Sequence, residues 1–231
     1  ENLILNLKNF LDKEKIFYKG KSESYSTPNR LVIYFENIHP FITKEAQEIR
    51  GPNVNSPDKA LEGFLRSNDI QKEKVFKKKT DKGEFYFYKK PSQKIYTADL
   101  LKHNLPIILS KISWNKSMRW GDHNLFWGRP LKSILCIFDG KKLDFYFDHL
   151  RSSNITFVDK ELEEETKSFT NFKSYYSFFN SRGILIDQEK RKSFISNEII
   201  ELSLKKKIKI NLKKELLEEI TNIVEKPKIL F

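Results

Sequence analysis

The sequence predicts an α+β fold, with a mixed or antiparallel sheet covered by helices and followed by a more helical C-terminal part. Three observations carry that expectation. Two hairpin signals, Asp81-Lys82-Gly83 and Asp139-Gly140, each lie between β-rich runs. Stretches with helical spacing separate them, and from about Phe169 the texture turns to lysine-laced helical segments. The division expected is an α+β domain over 1–150 and a helix-rich α/β part over 151–231. Its soft boundary lies at 151–168, where the acidic run ELEEE interrupts the pattern.

Taken in order, ENLILNLKNFLDKEKIFYKG reads as an amphipathic helix carrying Leu3, Leu5, Leu7, Phe10 and Leu11. A turn at Thr27-Pro28 precedes a strand over Leu31 to Phe35, and IRGPN (49–53) reads as a sharp loop. SPDKALEGFL predicts a helix with Ser56 as N-cap and Pro57 at its first position, on the spacing of Ala60, Leu61, Phe64 and Leu65. KVFKKKT and EFYFYKK then form the first hairpin, Gly83 supplying the positive φ of its turn. TADLLKHNLPIILSKI predicts a helix capped by Thr97 and disturbed at Pro106, whose ring removes a backbone donor.

In the second hairpin, SILCIF is apolar throughout and is expected as a central strand. KSYYSFFNSRGILID predicts a helix ended at Gly183 and a short strand, followed by helices over roughly 188–204 and 212–225. In the last of these Leu216, Leu217, Ile220, Ile223 and Val224 make one stripe.

The chain of 231 residues is 39% hydrophobic and 13% aromatic, enough to bury a core. Lys and Arg total 43 against 31 Asp and Glu, a net charge of +12 that suits nucleic acid or an acidic surface, although lysine-rich usage also reflects base composition of the genome. One cysteine, Cys136, excludes an intrachain disulfide and reads as an inert thiol in an apolar run. No run approaches the length of a membrane span. The chain begins without a methionine or a secretory leader and reads as a piece of a longer product.

Catalytic patterns are few. Histidines 39, 103, 123 and 149 lack the short spacings of metal ligands, so no metal site is expected. Neither a phosphate loop, a dinucleotide-binding glycine turn nor a nucleophile elbow is present. No catalytic residue is assigned.

The most unusual stretch is KSMRWGDHNLFWGRP, Lys116 to Pro130. Arg119 and Arg129 are charged forks suited to phosphate, and Trp120 and Trp127 can stack on bases. The other reading packs both indoles into the core and sets the arginines to local pairing; at least one of the two is expected to be structural. Arg50-Gly51-Pro52 holds the same two readings.

The order of motifs adds more. TPNRL (27–31), IRGP (49–52), ALEGF (60–64), a DKGEFYFY hairpin, LP followed by KSMRWG (105–121), and GRP (128–130) before an apolar strand stand in sequence. This series resembles the β subunit of the tetrameric bacterial glycyl-tRNA synthetase, in which TPRRL, KRGP, A-x-x-G-[FW], a K-G-E hairpin, MRWG and RPV follow in that order. The resemblance extends through SRGILIDQEKR (181–191) to VEKP (224–227), similar to the family's VEWP. There are departures. Val158, Asp159 and Lys160 stand in place of a usual Gly-His-Arg, Asn29 in place of an arginine, and Gly128 in place of Val or Ile.

The resemblance implies an amino-terminal, C-terminally truncated portion of the β subunit, cytoplasmic, with the α subunit and tRNA(Gly) as partners and no membrane. It implies that the α subunit uses ATP and Mg to activate glycine, with no cofactor in this chain and no activity of this chain alone. Arg30, Arg50, Arg119 and Arg129 are the RNA-binding candidates; Pro28, Gly51, Pro52, Trp120, Gly121, Trp127 and Pro130 are the structural motif residues. The alternative is a free-standing basic RNA-binding domain with no synthetase partner.

Overall fold

The structure is a computed structural model that describes residues 2–158 and 165–230. The fold is α+β, with antiparallel sheets and a helical C-terminal part. Two compact units emerge, one of residues 1–40 with 97–231, the other of residues 41–96. This grouping differs from the division by sequence texture at 150, because the chain leaves the first unit at Pro40 and rejoins it at Thr97.

The first unit opens with α1 (Asn2–Lys13), which buries Leu7, Phe10 and Leu11 on one face. Leu5, expected on that face, is 54% exposed, since two residues along a helix turn it some 200° away from Leu7. Lys15 takes a left-handed φ of 56°, and Ile16 N–H then bonds the Leu11 carbonyl and buries its side chain, which closes the helix. Strands β1 (Ser22–Ser26) and β2 (Leu31–Phe35) pair around the turn at Pro28, where the Thr27 hydroxyl accepts from Asn29 N–H and Thr27 N–H bonds Arg30 O.

The second unit contains β3 (Phe41–Lys44), β4 (Gln47–Asn53), α2 (Asp58–Asn68), a single 3₁₀ turn, β5 (Val75–Thr80), β6 (Gly83–Lys90) and β7 (Gln93–Tyr96). β4, β6 and β5 form one antiparallel sheet and β3 pairs with β7. IRGPN is not a loop: it lies in β4, with the register broken between Arg50 and Asn53. Pro52 has no N–H for the ladder, so a bulge absorbs it. Helix α2 starts one residue later than expected, with Pro57 rather than Ser56 at the N-cap and no side-chain cap.

Back in the first unit, α3 (Thr97–Ser110) buries Leu101, Leu105 and Ile108 and continues through Pro106. Thr97 does not cap its own helix. Its hydroxyl donates to His39 O and its N–H to Pro40 O, so it ties the point where the chain returns to the point where it left. Four short antiparallel pairs follow: β8 (Met118–Arg119) with β9 (Phe126–Trp127), β10 (Ile137–Phe138) with β11 (Lys141–Lys142), β12 (Tyr146–Phe147) with β13 (Leu150–Arg151), and β14 (Ile155–Phe157) with β15 (Thr166–Ser168).

The turn at Asp139-Gly140 has both φ positive, at 49° and 71°, as a two-residue hairpin requires. Within SILCIF, Ile137–Phe138 form β10 and pair with β11, while Leu135 makes a parallel bridge to Ser153, with Cys136 N–H to Ser153 O and Ser153 N–H to Ile134 O; Leu135 and Ile137 pack against a core. Helices α4 (Phe172–Ser181), α5 (Gln188–Lys206) and α6 (Lys214–Ile223) complete the unit.

Asn171 and Asp187 cap α4 and α5 through their side chains. Gly183, at φ 76°, ends the α4 turn as expected, but no strand follows; Leu185 N–H goes instead to Glu225 O. In α6 the buried position is Thr221, beside half-buried Leu217, while Leu216 and Ile223 are exposed, so the expected stripe is split between two faces. One core cluster of this unit is Val158, Phe169, Tyr175, Phe179, Ile184 and Ile186, with Tyr25, Val32 and Phe172 packed against it.

Candidate nucleic-acid interface

From Lys72 to Lys94 the sequence holds nine lysines and three acidic residues, a net charge of +6. Hairpin β5–β6 folds that charge onto a sheet whose side chains alternate between faces. The pairs Phe76↔Phe87, Lys78↔Phe85 and Arg50↔Phe87 share one face, and Lys77↔Tyr86 and Val75↔Tyr88 the other. Cations lie over rings throughout. Arg50 sits 3.5 Å from the Phe85 centroid, Lys78 5.5 Å from Phe87, Lys77 5.9 Å from Tyr86, and Lys94 3.7 Å from Phe41.

Lys78 is held by Glu48 at 2.6 Å. Lys77, Lys79, Lys82, Lys89 and Lys90 are exposed and make no ion pair among the described residues. With Phe76 and Tyr96 also exposed, the unit presents exposed cations, of the kind that neutralise phosphate, beside rings that can stack on bases. Read along the chain, this run was a hairpin only; its signal was the density of lysine interleaved with aromatics.

The stretch Lys116 to Pro130 folds as the β8–β9 hairpin. Trp127 is buried, and the Trp120 Nε1–H donates to its carbonyl at 2.9 Å. The Trp127 ring meets Trp114 at 4.9 Å and Phe147 at 5.7 Å. Gly121 takes φ 62° in the loop. Arg119, Arg129 and Pro130 are exposed, and neither arginine makes an ion pair or side-chain hydrogen bond among the described residues. The expectation that one of them braces the turn is therefore not met; the indole N–H does that work.

Arg30 is placed otherwise. Its side chain is 11% exposed, its Nη2 donates to the carbonyls of Phe157 and Val158 at 3.1 and 2.6 Å, its Nη1 reaches Glu225 at 3.5 Å, and its plane lies 4.4 Å from the Phe179 centroid. All of these partners belong to the protein, so Arg30, an RNA-binding candidate from the sequence, braces this fold. Thr27 donates to the same Glu225 carboxylate. Fully buried Arg191 donates to the carbonyls of Thr221, Leu185, Ile186 and Ser26, and burial lowers its pKa from the ordinary value. Thus TPNRL, SRGILIDQEKR and VEKP, dispersed along the chain, meet in one knot.

The whole chain, residues 1–231, matches the family model described as glycyl-tRNA synthetase beta subunit. The chain belongs to that family. It is similar to the glycine–tRNA ligase beta subunit of Rickettsia akari (strain Hartford), at 30% identity over 91% of this chain and 32% of that protein. Those of Rickettsia canadensis (strain McKiel) and Rickettsia felis (strain ATCC VR-1525 / URRWXCal2) are 29% and 28% identical over 95% of this chain. The chain spans about a third of the length of these curated relatives.

Two departures from the β-subunit pattern have a structural reason. A Cβ on Gly128 would lie 2.6 Å from the Trp114 ring, so the indole occupies the space that a family Val or Ile would need. Gly51, which keeps the glycine of the RGP motif, lies under Phe64, where a Cβ would stand 3.0 Å from the ring. Val158, in place of the family glycine, is fully buried in the core; Asp159 and Lys160 lie outside the described residues. The Cys136 thiol is pushed up to about 12 by burial, which removes it as a nucleophile at neutral pH.

Proposed function

We propose that this chain is an RNA-facing, non-catalytic scaffold segment of a glycyl-tRNA synthetase β subunit. In this reading it supports the ATP-dependent attachment of glycine to tRNA(Gly) by an α2β2 assembly in the cytoplasm. The α subunit binds ATP and Mg and forms the adenylate, and the β subunit holds the tRNA. The observation that carries the RNA-facing part is the lysine-aromatic sheet of residues 75–96 within a chain of this family. Its free cations neutralise phosphates irrespective of sequence, while exposed rings give the strand a place to stack. Exposed Arg119 and Arg129 offer a second set of phosphate-matching forks on the other unit. No helix among the described residues is long and apolar enough to cross a membrane.

The test is co-expression with the cognate α subunit and purification in the presence of tRNA(Gly). A stoichiometric α subunit together with tRNA supports the reading. Nucleic acid bound without any α subunit favours a free-standing RNA-binding domain. The purified chain alone is expected to give no glycine-dependent exchange of pyrophosphate into ATP; exchange above a mock preparation overturns the non-catalytic part.

A further inference from the structure

Hairpin β8–β9 carries His123 in its loop, and hairpin β12–β13 turns through Asp148 and His149. These two tips meet. The imidazoles of His123 and His149 stack with centroids 3.5 Å apart and planes 7° from parallel, and His149 Nδ1 lies 2.7 Å from Asp148 Oδ2. One nitrogen of each ring and one Asp148 oxygen all fall within 4.8 Å of one another. All three residues are exposed, so an ion reaches them from solvent without opening the fold. The expectation of no metal rested on spacing along the sequence, which does not register two loops brought together by separate hairpins.

We propose that His123, His149 and Asp148 form a binding site for a divalent transition-metal ion, with Zn²⁺ as its first candidate. Two imidazole nitrogens and one carboxylate oxygen suit Zn²⁺, Co²⁺ or Ni²⁺, whereas Mg²⁺ and Ca²⁺ select all-oxygen sets. A zinc ion at about 2.0–2.1 Å from each donor needs ligand atoms roughly 3.3 Å apart, a contraction that rotation of exposed side chains supplies.

Asp148 sits at φ 52°, a left-handed position that fixes the tight turn and keeps its neighbour His149 pointing with it. Three protein ligands leave a fourth position for water. Asp148 also lines, with Trp114, Asn124, Phe126 and Phe147, a cavity of about 370 Å³. An ion here would pin two walls of that cavity together, so it serves as a staple for the hairpin tips.

The experiment is isothermal titration of the untagged chain with ZnCl₂, with CoCl₂ absorption as a second readout. Expected is one saturable site and a visible Co²⁺ band shared with imidazole ligands. His123→Gln and His149→Gln are each expected to weaken binding about tenfold or more, at least what loss of an outer-shell partner costs. Asp148→Asn tolerates the left-handed φ and so separates lost coordination from a lost turn; it is expected to weaken Zn²⁺ binding with unchanged circular dichroism. His103→Gln, away from the site, is expected to bind as wild type. No saturable Zn²⁺ binding to the wild-type chain, or binding by both histidine variants as tight as wild type, overturns the proposal.

Discussion

Thr27 donates its hydroxyl proton to Glu225 at 2.7 Å, so a turn near the start of the chain is closed by a carboxylate near its end. The same carboxylate receives Arg30, and its residue's carbonyl accepts Leu185 N–H. Both side chains of that ion pair are nearly buried, at 11% and 13% exposure.

Glu225→Ala is expected to destabilise the chain by about 3 to 5 kcal/mol, because it leaves a buried guanidinium without its counter-charge. Arg30→Met keeps the volume and removes the charge, and with Glu225→Gln as a double variant it should recover part of that loss. Urea midpoints of the three proteins check this. Equal midpoints for Glu225→Ala and wild type would mean that the knot contributes nothing.

In the β8–β9 hairpin, Trp127→Ala is expected to cost about 3 to 5 kcal/mol through lost burial and a residual cavity. Trp120→Phe, which loses the bond to the Trp127 carbonyl together with part of the ring, should cost about 1 to 2 kcal/mol. Gly128→Val forces a branched side chain against Trp114 and is expected to cost about 1 to 3 kcal/mol, recovered in part by Trp114→Leu in the same chain. Thermal melts of the single and double variants give the answer.

Some of this architecture was legible in the sequence and some was not. Turn chemistry is local, so the Thr27-Pro28 turn, the Gly83 and Asp139-Gly140 hairpins and the Gly183 helix end follow from their residues alone. Gly-Pro in IRGPN signals a break equally well for a loop and for a bulged strand, and β4 is the latter. SILCIF carries the apolar run of a buried strand, but an apolar run does not show that only Ile137–Phe138 form a regular strand while Leu135 meets Ser153 through a single bridge.

Long-range pairing is what sequence hides. Arg30 and Arg119 are the same residue type beside turns, yet one is sealed against Glu225 and two carbonyls and the other is exposed. Arg191 gave no local sign of being buried. The motifs of the family resemblance pointed to these positions without showing that they touch.

Asp144 is paired with Arg151 through Nε at 2.8 Å, and that hydrogen bond holds its carboxyl below the ordinary range. A depressed folded pKa contributes stability that is present above the unfolded carboxylate value and lost as pH falls through the folded one. The difference in melting temperature between wild type and Asp144→Asn is therefore expected to be present at about pH 6 and to shrink as pH falls below the unfolded carboxylate value of about 3.9. The pair is exposed, so the difference will be small. A difference that grows on acidification contradicts the assignment.

Cys136 offers a check on the packing of the apolar run. With its thiol pushed up to about 12 by burial, it should react with a disulfide reagent at about pH 8 far more slowly in the folded chain than in denaturant. Equal rates would place the thiol at the surface.

The lysine-aromatic sheet is the centre of the functional account, and salt-dependent binding of tRNA(Gly) measures it most directly. Lys77, Lys79 and Lys82 are exposed, so Lys77→Gln, Lys79→Gln and Lys82→Gln in one chain should leave the melting temperature nearly unchanged, each substitution shifting stability by no more than about 0.5 kcal/mol. Weaker tRNA binding is expected, with a plot of log affinity against log salt whose slope falls by about one per lysine that touches phosphate. A triple variant that folds as wild type and binds tRNA with the same affinity and the same salt slope would contradict it.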